Sequence, residues 1–361
     1  MFLQVLLFIG ALIFLYFGIR NFLESFQITD LHNRAVFISG CDSGFGHLLA
    51  IKCAQNGLPT FAGCLTKHGM EAIEEACKNT IGKLIPIEID VTNEESVRNA
   101  ARCVEEKLDS KLKLWTLVNN AGSLGVYGYD DWCTVEEYHK DLDVNTLGVI
   151  RVTHAFMPML KQSRGRVIAI TSVCGRLALP GMGPYTVSKF ATEAYINILR
   201  QEVRQFGIHC SIVEPGRFRT ALLDGKAISD RISRAWNRLD NERKNEYGGE
   251  AFRELYCNRW RKFLDDSASP SLNLVVDSYY HAITSTFPRF RYCIGLDSIF
   301  LLILLVPIKL RDFLVCDFTY FITGWPPRVV TSGFNSIKAF LPSKDAIIDW
   351  CGKKIKRNKT I

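Results

Sequence analysis

Tyr185 and Lys189 stand four residues apart in a Tyr-x-x-x-Lys pattern, which on an α-helix places both side chains on one face, one turn apart. A phenol, with an ordinary pKa of about 10, is a poor base at neutral pH unless a nearby positive charge favours its anion, and an ammonium one turn away is such a charge. Ser172 lies thirteen residues earlier, at the end of an apolar run, where its hydroxyl can hydrogen-bond a substrate oxygen and stabilise negative charge developing on it. Asn145, in Leu142-Asp143-Val144-Asn145-Thr146-Leu147-Gly148, adds a polar group within a long helical stretch. These residue types suit proton transfer at an oxygen. Singly, each has a plainer explanation: a turn former, a half-buried aromatic, a helix-kink residue. Their joint register with the elements below gives them weight.

Those elements alternate. Short β-branched runs at 35–39, 60–64, 84–89, 114–119, 166–171 and 209–215 are separated by helical stretches to about Asn56, to about Asn79, from about Glu94 to Leu108, from about Val135 to Lys161 and from about Tyr185 to Phe206. Apolar strands joined by helix-length crossovers require a parallel sheet with helices on both faces, here a doubly wound, Rossmann-type α/β fold in a single domain. The domain spans 33–296 and includes a polar, helix-prone stretch, 217–269, that follows the sixth strand and is expected to act as a lid.

Between the first strand and first helix lies Gly40-Cys41-Asp42-Ser43-Gly44-Phe45-Gly46, spaced G-x-x-x-G-x-G. Glycines there allow a tight turn and let the backbone approach a pyrophosphate, which the next helix meets with its unpaired N–H groups. With this spacing the chain resembles the short-chain dehydrogenases/reductases, and the resemblance runs from residue 34 to about 296. Finer marks, among them Asp143 to Gly148, Val213 to Thr220 and Pro288 to Tyr292, are similar to the branch of retinol and hydroxysteroid dehydrogenases.

The resemblance implies a nicotinamide cofactor held by Gly40, Asp42, Ser43, Gly44, Phe45, Gly46, Cys64, Asp90, Val91, Asn120, Ala121, Gly122, Tyr185, Lys189, Pro215, Gly216 and Thr220. It further implies a catalytic group of Tyr185, Lys189, Ser172 and Asn145. Tyr185 would take the proton of an alcohol while hydride leaves carbon for the nicotinamide, and Ser172 would also bind the substrate oxygen. Lys189 would bind the nicotinamide ribose, and Asn145 would hold a water linking Lys189 to solvent. NAD is favoured, with NADP open. The end of the second strand, Cys64-Leu65-Thr66-Lys67, lacks the carboxylate that excludes a 2′-phosphate, yet the glycine loop also lacks a cation to bind one, having Ser43 beside Asp42. The substrate expected is lipophilic, a retinoid or hydroxysteroid; an NADP-linked lipid carbonyl reductase and a non-catalytic membrane-bound platform are the alternatives.

A hydrophobic content of 48% against 22% charged residues excludes a disordered chain, and a net charge of +7 without a long basic run in the body argues against nucleic acid as a partner. The twelve cysteines are scattered without CxxC pairs, so neither a metal site nor a disulfide framework is expected. Residues 1–20 are nearly all apolar and long enough for a membrane anchor without a cleavage motif. Arg20 on the C-terminal flank leans towards a cytoplasmic body over a lumenal one. The resemblance implies the endoplasmic reticulum. Residues 297–361 read as a membrane-associating extension: Ile299 to Ile308 is too short to span and would lie in the interface, in the core or in a homodimer face, and a basic tail from Lys353 suits an anionic surface. The sequon at Asn358 is usable only in a lumenal topology.

Overall fold

The computed structural model describes residues 2–305 and 307–323; the basic tail and the sequon lie outside them. In chain order the elements are α1 (Phe2–Glu24), β1 (Arg34–Ser39), α2 (Gly44–Gln55), β2 (Thr60–Cys64), α3 (Lys67–Ala76), β3 (Leu84–Glu88), α4 (Glu94–Glu105), β4 (Lys113–Asn119), α5 (Val135–Leu142), α6 (Gly148–Ser163), β5 (Arg166–Ile170), α7 (Gly183–Glu202) and β6 (His209–Pro215). There follow α8 (Gly225–Asn237), α9 (Asn241–Tyr247), α10 (Gly249–Ser267), α11 (Asn273–Thr284), β7 (Arg291–Ile294) and α12 (Ile308–Thr323).

All seven strands pair in parallel, in the order β3-β2-β1-β4-β5-β6-β7. Because side chains alternate along a strand, successive residues of β1 feed two separate cores. Ala35 and Phe37 pack on one face with Phe61, Val152 and Phe156, while Val36 and Ile38 pack on the other with Leu49, Val276 and Tyr279. Burial on both faces is the reason these strands read as continuous apolar runs.

Six strands were expected, and seven are present among the described residues. The seventh, β7, is only four residues long and lies among the arginines of 289–291, so neither length nor alternation marks it. The long helix expected over 135–161 is also interrupted. A π-helical turn at Asp143–Leu147 separates α5 from α6 and carries Asn145. An extra residue per turn re-aims side chains locally, a feature frequent at functional sites.

The stretch expected as a lid forms α8, α9 and α10, which close a third core around Trp132, Trp236, Tyr256 and Trp260. Beyond β7 the apolar run 299–308 is not one regular α-helix: residues Leu296–Leu305 form a 3-10 helix and the chain then enters α12. Leu301, Ile303, Leu304 and Val315 pack against Val173, Leu177 and Leu179. Leu305, Ile308, Leu310 and Leu314 stay exposed.

Among the described residues no helix is long and apolar enough to cross a membrane, and several side chains of α1 lie outside those described. The foot of α1 is fixed to the body. Glu24 accepts from Arg289 Nε at 2.9 Å through each carboxylate oxygen and from Arg20 at 2.7 Å, and its backbone carbonyl accepts from Ser285 Oγ at 3.2 Å. Eleven cysteines among the described residues are free.

Candidate active site

A cavity of about 650 Å3 opens at the carboxyl ends of the strands. Strand order reverses between β1 and β4, the place where doubly wound sheets hold their ligands. Gly40, Asp42, Ser43, Gly44 and Phe45 from the first loop line one side, with Asp90, Val91, Asn120, Ala121 and Gly122, and Pro215, Gly216 and Thr220 stand above.

The loop's geometry follows from its glycines. Gly40 has φ +71°, and a Cβ there would meet Ala121 Cα at 2.7 Å; Gly44, at φ +63°, faces open space with Thr220 Cγ2 at 3.9 Å. At the start of α2, Ser43 makes no side-chain capping bond, so the helix's first N–H groups face the cavity end uncapped. A diphosphate fits this bare cradle, since backbone donors and a positive helix end meet it without side-chain obstruction.

Two expected contacts fall elsewhere. Gly46 does not line the cavity: its Cβ position lies 2.3 Å from Gly40 O and 2.4 Å from Asn120 Nδ2, so its role is close packing of α2 against the loop. Cys64 is fully buried within β2 and also absent from the lining.

The acid missing from the end of β2 is supplied from the glycine loop. Asp42 accepts from Leu65 N at 2.8 Å, Thr66 N at 2.9 Å and Thr66 Oγ1 at 2.7 Å, bringing a carboxylate to the end of β2. Asn120 buckles the two central strands, donating through Nδ2 to Ser39 O and Gly40 O, both at 3.0 Å. Asp90 turns its carboxylate onto Thr92 N and Oγ1, at 2.9 and 2.7 Å.

Tyr185, Lys189 and Ser172 line the same cavity. Lys189 Nζ sits 5.6 Å from the Tyr185 ring centroid, and the Ser172 hydroxyl, which accepts from Cys174 N at 3.2 Å, stands beside the phenol. Burial pushes the phenol well above its ordinary pKa, helped by Cys174 and opposed by Ser172. Burial lowers Lys189 to about 8, offset by Asp141. Asn145 is fully buried. Its Nδ2 donates to Ser123 O at 3.0 Å and to Ser188 Oγ at 2.9 Å, and its Oδ1 accepts from Ser123 N at 2.8 Å.

Several groups escaped the sequence reading. Ser123, Leu124, Tyr127, Cys174, Met182, Trp260 and Phe263 line the cavity, and Asp141 stands behind Ser123. Only Asp141 carried a usable signal, standing four residues before Asn145. Ile303, Leu314, Val315 and Thr319 complete the wall from the C-terminal segment.

The profile of the short chain dehydrogenases matches residues 34–229, and the chain belongs to that family. It is 42% identical over 320 residues to a 3beta-hydroxysteroid dehydrogenase of Caenorhabditis elegans, covering 87% of this chain and 82% of that one. It is 38% identical over 288 residues to the 17-beta-hydroxysteroid dehydrogenase type 6 of Rattus norvegicus, covering 80% and 89%. Among solved structures, a short chain dehydrogenase/reductase of Burkholderia phymatum in complex with NAD superposes with a TM-score of 0.63 at 21% identity, over 79% of this chain and 97% of that one. That likeness is one of fold.

Proposed function

We propose that this chain is a nicotinamide-dependent oxidoreductase that interconverts an alcohol and a ketone or aldehyde on a lipophilic, steroid-like molecule, with NAD preferred. The observation that carries this reading is the meeting of Tyr185, Ser172 and Lys189 in one large, mostly apolar cavity with the bare glycine cradle. The names of the hydroxysteroid dehydrogenase relatives support a steroid over a retinoid. Asp42 supports NAD, since its carboxylate would repel a 2′-phosphate.

The cradle of Gly40, Gly44 and α2, with Asp42, Asn120 and Thr220, would hold the cofactor, whose nicotinamide supplies the two-electron acceptor or donor. In oxidation Tyr185 takes the hydroxyl proton as carbon loses its hydride and the C=O bond forms; in reduction the phenol returns that proton to the oxygen. Ser172 donates to the substrate oxygen and stabilises its negative charge. Lys189 favours the phenolate when the proton leaves. Asn145 holds the loop beneath them. The second reading is a carbonyl reductase linked to NADP, in which the protonated phenol gives its proton to the substrate oxygen.

We read α1 as a membrane anchor and the body as facing the cytoplasm at the endoplasmic reticulum. The apolar part of α1, residues 2–19, rises roughly 27 Å, close to a hydrocarbon core of about 30 Å. Phe14, at 82% exposed, and Phe8 and Phe22, both at 64%, would otherwise meet water. The exposed apolar side chains of α12 support contact with the same membrane. Protease protection of the body, or glycosylation at Asn358, would overturn this topology.

The decisive experiment screens detergent-solubilised protein against hydroxysteroids, retinoids and long-chain alcohols with NAD and NADP, following nicotinamide absorbance. Oxidation of a hydroxysteroid with NAD is expected. Turnover only of carbonyls with NADPH would establish the second reading, and no turnover with any pair would leave a non-catalytic platform.

A further inference from the structure

Asp141, on α5, is 1% exposed, and a carboxylate so buried is costly unless its charge is met. Ser123 Oγ donates to one of its oxygens at 2.8 Å and Gly125 N to the other at 3.1 Å. One turn later, Asn145 grips Ser123 by both backbone groups, accepting from its N–H at 2.8 Å and donating to its carbonyl at 3.0 Å. Asn145 also donates to Ser188 Oγ, which donates to Tyr185 O at 2.7 Å. Helix α5 and the π-turn therefore hold residues 123–125 at two points and tie them to the catalytic helix.

That loop reaches Lys189 as well. A Cβ at Gly122 would lie 3.2 Å from Asn145 Oδ1 and 3.6 Å from Lys189 Nζ, and one at Gly125 would lie 3.3 Å from both Asp141 oxygens. Glycine at both places lets the loop pass close to Lys189 at one end and to Asp141 at the other.

Burial raises the Asp141 carboxyl above its ordinary pKa, and the bonds from Ser123 and Gly125 and the positive charges around it oppose that rise and favour its charged form. The charged groups facing Asp141 are Lys189 from α7 and Arg231 from α8. Acidic groups facing Lys189 are Asp141, Cys174 and Glu193. Glu193 is taken up by Arg291, at 2.8 and 2.6 Å through its two oxygens, and burial pushes the Cys174 thiol up to about 11, leaving it neutral. Lys189 Nζ otherwise reaches Ile170 O at 3.4 Å. Asp141 is the negative charge left to meet the ammonium.

We propose that Asp141 is a positioning residue for the catalytic group, holding the 123–125 loop against Asn145 and supplying the buried counter-charge of the Lys189 ammonium. This rests on the reading of Lys189 as the cation acting beside Tyr185. Competitive labelling of the full, detergent-solubilised chain with acetic anhydride over a pH series, read by mass spectrometry of the Lys189 peptide, follows that ammonium without turnover. In Asp141→Asn the labelling midpoint should fall by about one pH unit, a tenfold change, and the alkaline limb of kcat/KM for a hydroxysteroid should fall with it, activity recovering at lower pH. Ser123→Ala, which removes a hydrogen bond but keeps the charge, should leave the midpoint in place. If Asp141→Asn does not fold, Asp141→Ser, small and neutral, carries the same expectation. An unmoved midpoint in a folded neutral variant overturns the proposal and leaves Asp141 a loop anchor. Absence of turnover in the unmodified protein would sink the functional reading, while labelling would still decide the role of Asp141.

Discussion

Gly46→Ala tests whether the third glycine of the loop serves packing. The new Cβ would stand 2.3 Å from Gly40 O and 2.4 Å from Asn120 Nδ2, each about 1 Å inside an ordinary contact, and the first obstacle is backbone that cannot swing away. Overpacking of this kind costs about 1–3 kcal/mol. Asn120 would have to move, loosening its two bonds to Ser39 O and Gly40 O, each contributing about 0.5–1.5 kcal/mol. The expected loss is about 2–4 kcal/mol by urea denaturation, together with weaker cofactor binding, because the displaced loop is the cradle itself. Gly44→Ala is the control: its Cβ meets nothing nearer than 3.9 Å, so it should lose only the roughly 1–2 kcal/mol of left-handed strain. A Gly46→Ala protein within ~0.5 kcal/mol of the parent, with unchanged cofactor affinity, would refute the reasoning.

Tyr185→Phe keeps the ring and removes the proton carrier, so turnover should vanish in steady-state assays while cofactor affinity, measured by fluorescence quenching, stays within about twofold. Retained activity would end the mechanism. Alcohol oxidation needs Lys189 charged, so its kcat/KM should fall as pH rises through about 8; a rate still climbing well beyond that pH would count against the role given to Lys189. Arg291→Met strips Glu193 and the fully buried Glu214 of a shared partner, leaving Glu214 with Arg176 at 3.7 Å and the Cys293 thiol at 3.6 Å. A loss of about 3 kcal/mol is expected near neutral pH. Burial holds Glu214 above its ordinary pKa, so the deficit should shrink as pH falls and the carboxyl takes up a proton; denaturation midpoints at several pH values would show a constant deficit if this account is wrong.

The alternation of apolar runs and helical stretches determined the doubly wound sheet, because strands buried on both faces leave a local, readable pattern. The glycine spacing and the Tyr185–Lys189 pair were legible for the same reason: a turn at positive φ and a shared helix face are set within a few residues. Contacts between distant segments were not legible. That Gly46 packs rather than binds depends on Asn120, 74 positions away in the chain. The carboxylate at the end of β2 comes from Asp42 rather than from β2 itself, and only the loops' approach reveals it. Tyr185 packs against the third core, to which α8 and α10 contribute, and the burial that raises its pKa is not contained in the Tyr-x-x-x-Lys pattern. Local backbone preference and periodicity reside in the sequence, whereas burial, counter-charges and the walls of a cavity exist only once remote segments are packed together.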